Sequence, residues 1–539
     1  MKFNLLPLTA AVIIFVFSRY VCECNDSVAT SISGMEMLLD TEKKILMIFE
    51  GYIKANEAKI EILKRKLEEY QIENDRAIID PEKYVTNPLS SFSLIRRLAS
   101  DWKDLMQYIE ADAGESFLTQ LKTYTTSSDF PTSEDVTEAV KGFIRIQSTY
   151  KLKPSDAMNG IINGVQYDHA LHSKDLYEMG SDAFSQGFYY YADEWFKASL
   201  AKHDIEDSEY IYFNFNKETI LEKAIDNKFA QKDYHVALKY TTQLLQHNDN
   251  NEKGITLFKD IEQILAFNAL RNITNEGKVF GEPSTDPETE SFERGCRGDY
   301  SKIRPRLSPE FSCHFVTENH PFLKIAPMKV EVINVEEPYM AIFHDIVSDK
   351  EIETLKTLAK PQLKRAFVYD PESKTSIASS HRTSKFAWYS DTDDDLFPIL
   401  TQRLEDMTGL SMSTSEQFQV MNYGIGGHYA THKDYFDEPE NLEGFKYTSY
   451  KIGNRIATML FYISDVEQGG FTVFPSLLAA VKPKKGTCVF WYNLKPNGNG
   501  NPKTNHAACP VLVGSKWVFN KWIRSNGQMF AKPCPADYQ

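Results

Sequence analysis

The chain has 539 residues, with 75 acidic against 60 basic side chains, a formal charge of −15 and a pI near 5.4. Such a length exceeds what one hydrophobic core organises, so two to four domains are expected. The acidity argues against a general nucleic-acid binder, which carries a basic domain, and 42% hydrophobic with 25% charged residues is the balance of folded protein.

At the start, Lys2 precedes the apolar run Leu5 to Phe17, and Val21, Cys22 and Cys24 follow. A short basic start, an apolar stretch and small residues downstream predict a signal peptide over residues 1–24. Arg19 cuts the run below the roughly 20 residues that span a bilayer, and no later stretch is long and apolar enough, so no membrane span is expected. The sequons at Asn25 and Asn272 fit a secretory route and candidate glycosylation.

From Met35 to Tyr70 apolar residues recur at steps of three and four: Ile45, Phe49, Tyr52, Ile60, Leu63, Leu67 and Tyr70. This spacing predicts a helix with a coiled-coil-like seam, either pairing two chains or packing within its own domain. Residues 25–145 are read as a helical region, with dimerisation its functional reading and packing within its own domain the alternative, punctuated by Pro81 and Asn87-Pro88. Between 146 and 250, Phe184, Tyr189, Ala192 and Leu200 recur as Phe229, Tyr234, Ala237 and Leu245. The pattern is that of a tetratricopeptide-like helix pair with an elongated connection. Tyr189, Tyr190, Tyr191, Trp195 and Tyr212 are candidates to line a groove for an extended proline-rich peptide; the alternative is that these aromatics are repeat core. Residues 251–330, with the acidic stretch Glu282–Glu290, read as a linker.

Beyond residue 330 the texture changes to short segments rich in β-branched and aromatic residues: Gln417–Tyr423, Arg455–Ile463, Thr487–Tyr492, Pro510–Val513 and Lys516–Ile523. Gly, Pro and Asn separate them, and helical signal survives at Asp349–Ala359 and Asp394–Met407. Many short strands with turn signals predict a sandwich or barrel of jelly-roll type over 331–539. Among the cysteines, Cys296–Cys313 and Cys509–Cys534 are plausible bridges with Cys488 free, although all could be buried thiols.

The chemistry concentrates in Asn422-Tyr-Gly-Ile-Gly-Gly-His-Tyr-Ala-Thr-His432-Lys-Asp434. A His-x-Asp pair at a strand end presents imidazole and carboxylate on one face. A histidine from a later strand, with His506 the best candidate, would complete a two-His-one-carboxylate set suited to Fe(II) with positions left open. Lys516 could pair with the distal carboxylate of a dicarboxylic acid chelated at the metal. The competing His428/His432 zinc pair needs a helix, which Gly424, Gly426 and Gly427 disfavour.

These motifs closely resemble the collagen prolyl 4-hydroxylase α-subunit family. The resemblance rests on the segment above, Gly453-Asn-Arg-Ile-Ala-Thr, Gly469-Gly-Phe-Thr-Val-Phe-Pro475, Pro483-Lys-Lys-Gly486, Phe490-Trp-Tyr-Asn-Leu494, His506 to Gly514 and Lys516-Trp, and extends over nearly the whole chain. It implies a multidomain α plus β fold, with helical dimerisation and peptide-binding domains before a C-terminal double-stranded β-helix. It implies that His432, Asp434 and His506 hold Fe(II), and that Lys516 and Tyr423 bind 2-oxoglutarate. Arg382, Glu416 and Arg455 would line the peptide groove, and the two disulfides named above match the family's spacing. The implied activity is hydroxylation of proline in X-Pro-Gly sequences in the endoplasmic reticulum lumen, with ascorbate, in an α₂β₂ assembly with protein disulfide isomerase. Two alternatives stay open: the same chemistry on a non-collagen secreted protein, or a weakly active subunit that binds proline-rich peptides. Arg524 stands where the family commonly has histidine, and Asp226 and Phe229 stand near tyrosine positions, so the peptide groove is altered. Lysine at 516, rather than arginine, disfavours the lysyl hydroxylases and the oxygen-sensing prolyl hydroxylases.

Overall fold

The computed structural model describes residues 28–532 apart from 128–129, 206–214, 272–285, 304–312, 366, 371–374, 379–381 and 437–452. The segment 1–24, Asn25, Tyr212, Asn272 and Cys534 lie outside the described residues. The first long helix, α1 (Ile32–Ile79), is started by Ser31, whose side chain accepts from the Gly34 N–H. None of its residues is buried, and Phe49, Ile60 and Leu67 are at least half exposed. Asp80 and Asn87 each cap a further helix that has proline at its first position, so the two prolines restart helices as well as ending them.

Helix α2 (Ser133–Tyr150) runs across the boundary drawn at 145/146. Its inner face joins a cluster built by two helix pairs, α3 (Ser173–Ser185) with α4 (Tyr189–His203) and α5 (Lys217–Ala230) with α6 (Tyr234–His247). The repeated Phe and Tyr have one job in both pairs: Phe184 meets Tyr189 at 5.6 Å and Phe229 meets Tyr234 at 5.4 Å, pinning each turn. Helix α7 (Glu252–Leu270) follows, then α8 (Pro287–Cys296), so much of the stretch read as linker is helical. Asp286 caps α8 and Pro287 opens it, which acidic composition alone does not reveal.

The C-terminal half holds a nine-stranded antiparallel sheet. Its strands are β1 (Cys313–Val316), β2 (Met328–Asn334), β3 (Met340–His344), β4 (Lys364–Arg365), β5 (Ser384–Tyr389), β6 (Phe418–Tyr423), β8 (Arg455–Tyr462), β11 (Thr487–Tyr492) and β13 (Trp517–Arg524), in the order β1-β2-β3-β11-β8-β13-β6-β5-β4. A four-stranded sheet faces it, made by β7 (Tyr429–His432), β12 (His506–Ala508), β9 (Thr472–Phe474) and β10 (Ala479–Val481) in the order β7-β12-β9-β10. Strand alternation splits the large sheet's side chains between two cores. Met421, Tyr423, Leu460 and Tyr462 pack toward the small sheet with Phe474 and Ala508. Phe418, Val420, Met459 and Phe461 pack on the other face under α9 (Asp349–Ala359) and α10 (Leu396–Thr408). The two-layered arrangement is the expected jelly-roll type, and its large sheet begins at Cys313, ahead of residue 331.

The expected Cys296–Cys313 bridge is corrected. Cys296, at the end of α8, is bonded to Cys509 just after β12, with the Cα atoms 5.5 Å apart. Cys313 is a free thiol on the exposed edge strand β1, whereas Cys296 is buried in a cluster with Cys509, Ile146, Tyr150 and Val473. Cys509 is thus taken by Cys296 and not by Cys534, and Cys488 is free and buried, as expected.

Candidate metal centre

Strands β7 and β12 are antiparallel neighbours, and their register sets His432 directly opposite His506. Asp434 follows two residues later, so residues 74 positions apart converge because two short strands pair. One donor atom from each of the three side chains lies within 4.8 Å of the others. The Nε2 atoms of His432 and His506 are each 3.8 Å from an Asp434 carboxylate oxygen. His432 Nδ1 lies 2.8 Å from the Ala430 carbonyl and His506 Nδ1 3.0 Å from the Thr504 carbonyl. With Nδ1 donating to these carbonyls, both Nε2 lone pairs point inward as metal ligands do.

Electrostatics match that donor set. Burial, reinforced by the neighbouring His506, holds the His432 imidazole far below its ordinary pKa, so it is neutral. Burial alone would raise the Asp434 carboxyl, but the two imidazoles and Arg455 hold it below the usual carboxylate range. Asp434 also accepts a 2.7 Å hydrogen bond from Thr458 Oγ1, which in turn accepts from Asn493 Nδ2 at 2.8 Å. Two imidazoles, each with Nε2 turned inward, and one oriented carboxylate fit a ferrous ion. Replacing Thr458 by valine leaves the carboxylate unoriented and is expected to raise the iron requirement roughly 10–100-fold. The measurement is 2-oxoglutarate consumption against Fe(II) concentration, and an unchanged half-saturation would remove Thr458 from the site.

The three groups open onto a cavity that also holds Tyr423, Thr472, Trp491, Lys516 and Asn520. Lys516 is 1% exposed, donates to the Gly470 carbonyl at 2.6 Å and stands 5.0 Å from the Tyr423 ring centre. No carboxylate among the described residues pairs with it, and burial pulls its pKa down to about 7. Burial pushes Tyr423 up to about 12, keeping it a neutral phenol. Two buried polar atoms of the same cavity, Trp491 Nε1 and Asn520 Oδ1, have no hydrogen-bond partner among the described residues. A cation without a carboxylate partner among the described residues and an unsatisfied indole N–H, beside the donor triad, fit a short dicarboxylate chelated at the metal. Sequence reasoning passed over Thr458, Trp491 and Asn520. Asn520 had a signal: with Lys516 and Val518 it shares one face by strand alternation.

The other expected residues divide. Arg455 is bidentate to Glu416 at 2.6 and 2.8 Å and reaches the Asp434 carbonyl at 3.4 Å. Arg524 joins them, with its guanidinium 2.7 Å from Glu416, so the residue standing in for histidine extends an ion cluster beside Asp434. Arg382 donates to Gln419 and stacks 4.9 Å over Tyr429, next to His432. Tyr189 and Tyr190 are half-buried on α4. Trp195 is a correction: it is 3% exposed, its indole donates to Gln147 at 2.9 Å, and it packs edge-on to Phe143, so it joins α4 to α2 and lines no groove. His428 pairs with Thr383 and stays outside the triad.

A two-sheet fold with a His-Asp-His cluster opening on a buried cation defines an Fe(II)/2-oxoglutarate oxygenase, and residues 418–524 match the 2OG-Fe(II) oxygenase superfamily. Residues 31–164 match the N-terminal region of the prolyl 4-hydroxylase α-subunit. The chain is 37% identical to prolyl 4-hydroxylase subunit alpha-2 of Gallus gallus, over 94% of both chains. It is 37% identical to subunit alpha-1 of Homo sapiens, covering 94% of this chain and 95% of that one. It belongs to the prolyl 4-hydroxylase α-subunit family. Among solved structures, the viral collagen prolyl hydroxylase of Paramecium Bursaria Chlorella virus-1 overlaps 34% of this chain and 96% of its own, at 24% identity and a TM-score of 0.27.

Proposed function

We propose that this chain is the catalytic subunit of a secretory-pathway prolyl 4-hydroxylase acting on X-Pro-Gly sequences, with His432, Asp434 and His506 holding Fe(II) and Lys516 gripping the distal carboxylate of 2-oxoglutarate. The observation that carries this reading is the convergence of three ligand atoms beside a buried lysine with no carboxylate partner among the described residues. Iron and 2-oxoglutarate, when bound, would supply with O2 the oxidative decarboxylation to succinate and carbon dioxide, one oxygen atom entering succinate and the other the hydroxyl on proline C4. Ascorbate serves as the reductant that keeps the metal ferrous. The protein's own part is orientation and exclusion of water. The backbone carbonyls of Ala430 and Thr504 lock the two imidazoles, Thr458 fixes the carboxylate, and Tyr423 and Lys516 meet the cosubstrate in a buried cavity. Arg382 and the Glu416–Arg455–Arg524 cluster border the site where a peptide would enter.

In the same proposal, the region 25–145 supports dimerisation through its open apolar seam, and 146–250 with Tyr189 and Tyr190 binds the proline-rich peptide. Protein disulfide isomerase completes an α₂β₂ assembly in the endoplasmic reticulum lumen. The test is succinate release and 4-hydroxyproline formation with a Pro-Pro-Gly repeat peptide, iron and ascorbate. Equal amounts of both products are expected. Decarboxylation without hydroxyproline would overturn collagen-like substrates and favour a different secreted protein, a second reading that Arg524 at the rim supports.

A further inference from the structure

The segment between Tyr423, at the end of β6, and Tyr429, at the start of β7, is gripped from two sides. On one side lies Ala29–Ser33. Its Ala29 carbonyl accepts from the Ile425 N–H at 3.2 Å, and its Ser33 N–H donates to Asn422 Oδ1 at 3.1 Å. Thr30 and Ser31 are buried there, and a Cβ on Gly424 would fall 2.1 Å from the Ala29 carbonyl oxygen. On the other side lies α2. A Cβ on Gly142 would stand 2.4 Å from the Ile425 carbonyl oxygen, and one on Gly426 (φ 55°) would stand 2.2 Å from the Gly142 carbonyl oxygen. Arg145 Nε donates to the Gly426 carbonyl at 3.2 Å. The glycines, read in the sequence only as helix breakers, are the positions where backbone meets backbone.

The grip continues into the cosubstrate cavity. The Tyr423 N–H donates to the Lys516 carbonyl at 3.1 Å, and Asn422 Nδ2 reaches the same carbonyl at 3.3 Å. Tyr150, at the end of α2, donates to the Pro510 carbonyl at 2.6 Å. That carbonyl also accepts from Gly470, whose own carbonyl holds Lys516 Nζ. Val28 N–H closes the circuit on Asp135 of α2 at 2.8 Å.

We infer that helix α2 and the segment Ala29–Ser33 form a clamp that positions the cosubstrate cavity, with Gly142 and Arg145 as its positioning residues. The oxygenase sheets do not by themselves fix where Tyr423 and Lys516 stand relative to His432; the N-terminal region completes that geometry. This inference rests on the assignment of Lys516 and Tyr423 to 2-oxoglutarate. Neither Gly142 nor Arg145 touches the cavity, so both act through the 424–427 backbone.

The test uses the full chain and reads 2-oxoglutarate binding by calorimetry with Mn(II) in place of Fe(II), without turnover. Gly142→Ala and Arg145→Met are each expected to weaken binding about tenfold or more, since a displacement of about 1 Å is costly at a positioned site. Arg145→Lys, which keeps a donor, is expected to recover part of the loss. Val136→Ala, on the exposed side of the same helix, is expected to bind as wild type. Wild-type binding by both Gly142→Ala and Arg145→Met would overturn the clamp. If Gly142→Ala does not fold, Arg145→Met with its lysine counterpart decides alone. A wild-type chain that binds no 2-oxoglutarate would bring down the proposed function itself, an outcome distinct from equal binding by all variants.

Discussion

Replacing His506 by alanine is expected to reduce peptide-dependent succinate release to background, with iron no longer retained by the purified chain. On the proposed assignment His506 supplies one of three ligand atoms among the described residues, and its loss leaves Asp434 and His432 as a two-point site. Metal catalysis contributes several kcal/mol of barrier lowering, so the loss is on the order of a thousandfold or more. The fold should survive: His506 opens a three-residue strand, and alanine keeps its backbone bonds with β7 and β9. Metal content by atomic emission and activity are measured on the same preparation. A His506→Ala chain that retains both would show that iron sits elsewhere.

Lys516→Ala is expected to raise the requirement for 2-oxoglutarate while leaving that for peptide nearly unchanged. The lysine is buried with no carboxylate near it among the described residues, so on the proposed assignment the incoming carboxylate is its counter-charge. Losing a buried, hydrogen-bonded charge pair costs roughly 2–5 kcal/mol, equivalent to roughly 30- to 5,000-fold in binding. A pH dependence follows with a definite sign. Burial lowers the pKa of the ammonium to about 7 in the ligand-free chain, so the charged form that grips the carboxylate is progressively lost as pH rises above 7. The 2-oxoglutarate requirement of the wild type should therefore climb between pH 7 and 9, by up to about tenfold per unit. The alanine variant should lack this climb. Equal pH profiles for the two proteins would mean that another cation holds the cosubstrate.

The repeated aromatics of the helical region show how much could be read without a fold. Phe184/Tyr189 and Phe229/Tyr234 recur because each pair pins the turn between two antiparallel helices, a contact only five residues long in sequence. Strands with β-branched and aromatic alternation were legible for the same reason: backbone geometry imposes a short period on the side chains. The His432-x-Asp434 pair and Lys516 were legible because they belong to motifs with fixed local spacing. Trp195 was not, since its identity as core depends on Gln147 of a different helix.

By itself the sequence determined the helical seam over 35–70, the two repeated helix pairs, several of the strands beyond residue 330, the donor types available for iron and the candidate cation for the cosubstrate. All of these follow from patterns only a few residues long. Tertiary structure alone decided that Cys296 bonds Cys509, 213 residues away, that Arg524 shares Glu416 with Arg455, and that Trp491 and Asn520 face the cavity with unsatisfied polar atoms. It also decided that α2 lies against the glycine loop. Such pairings depend on which faces of distant elements are buried against each other, and no local periodicity encodes that choice.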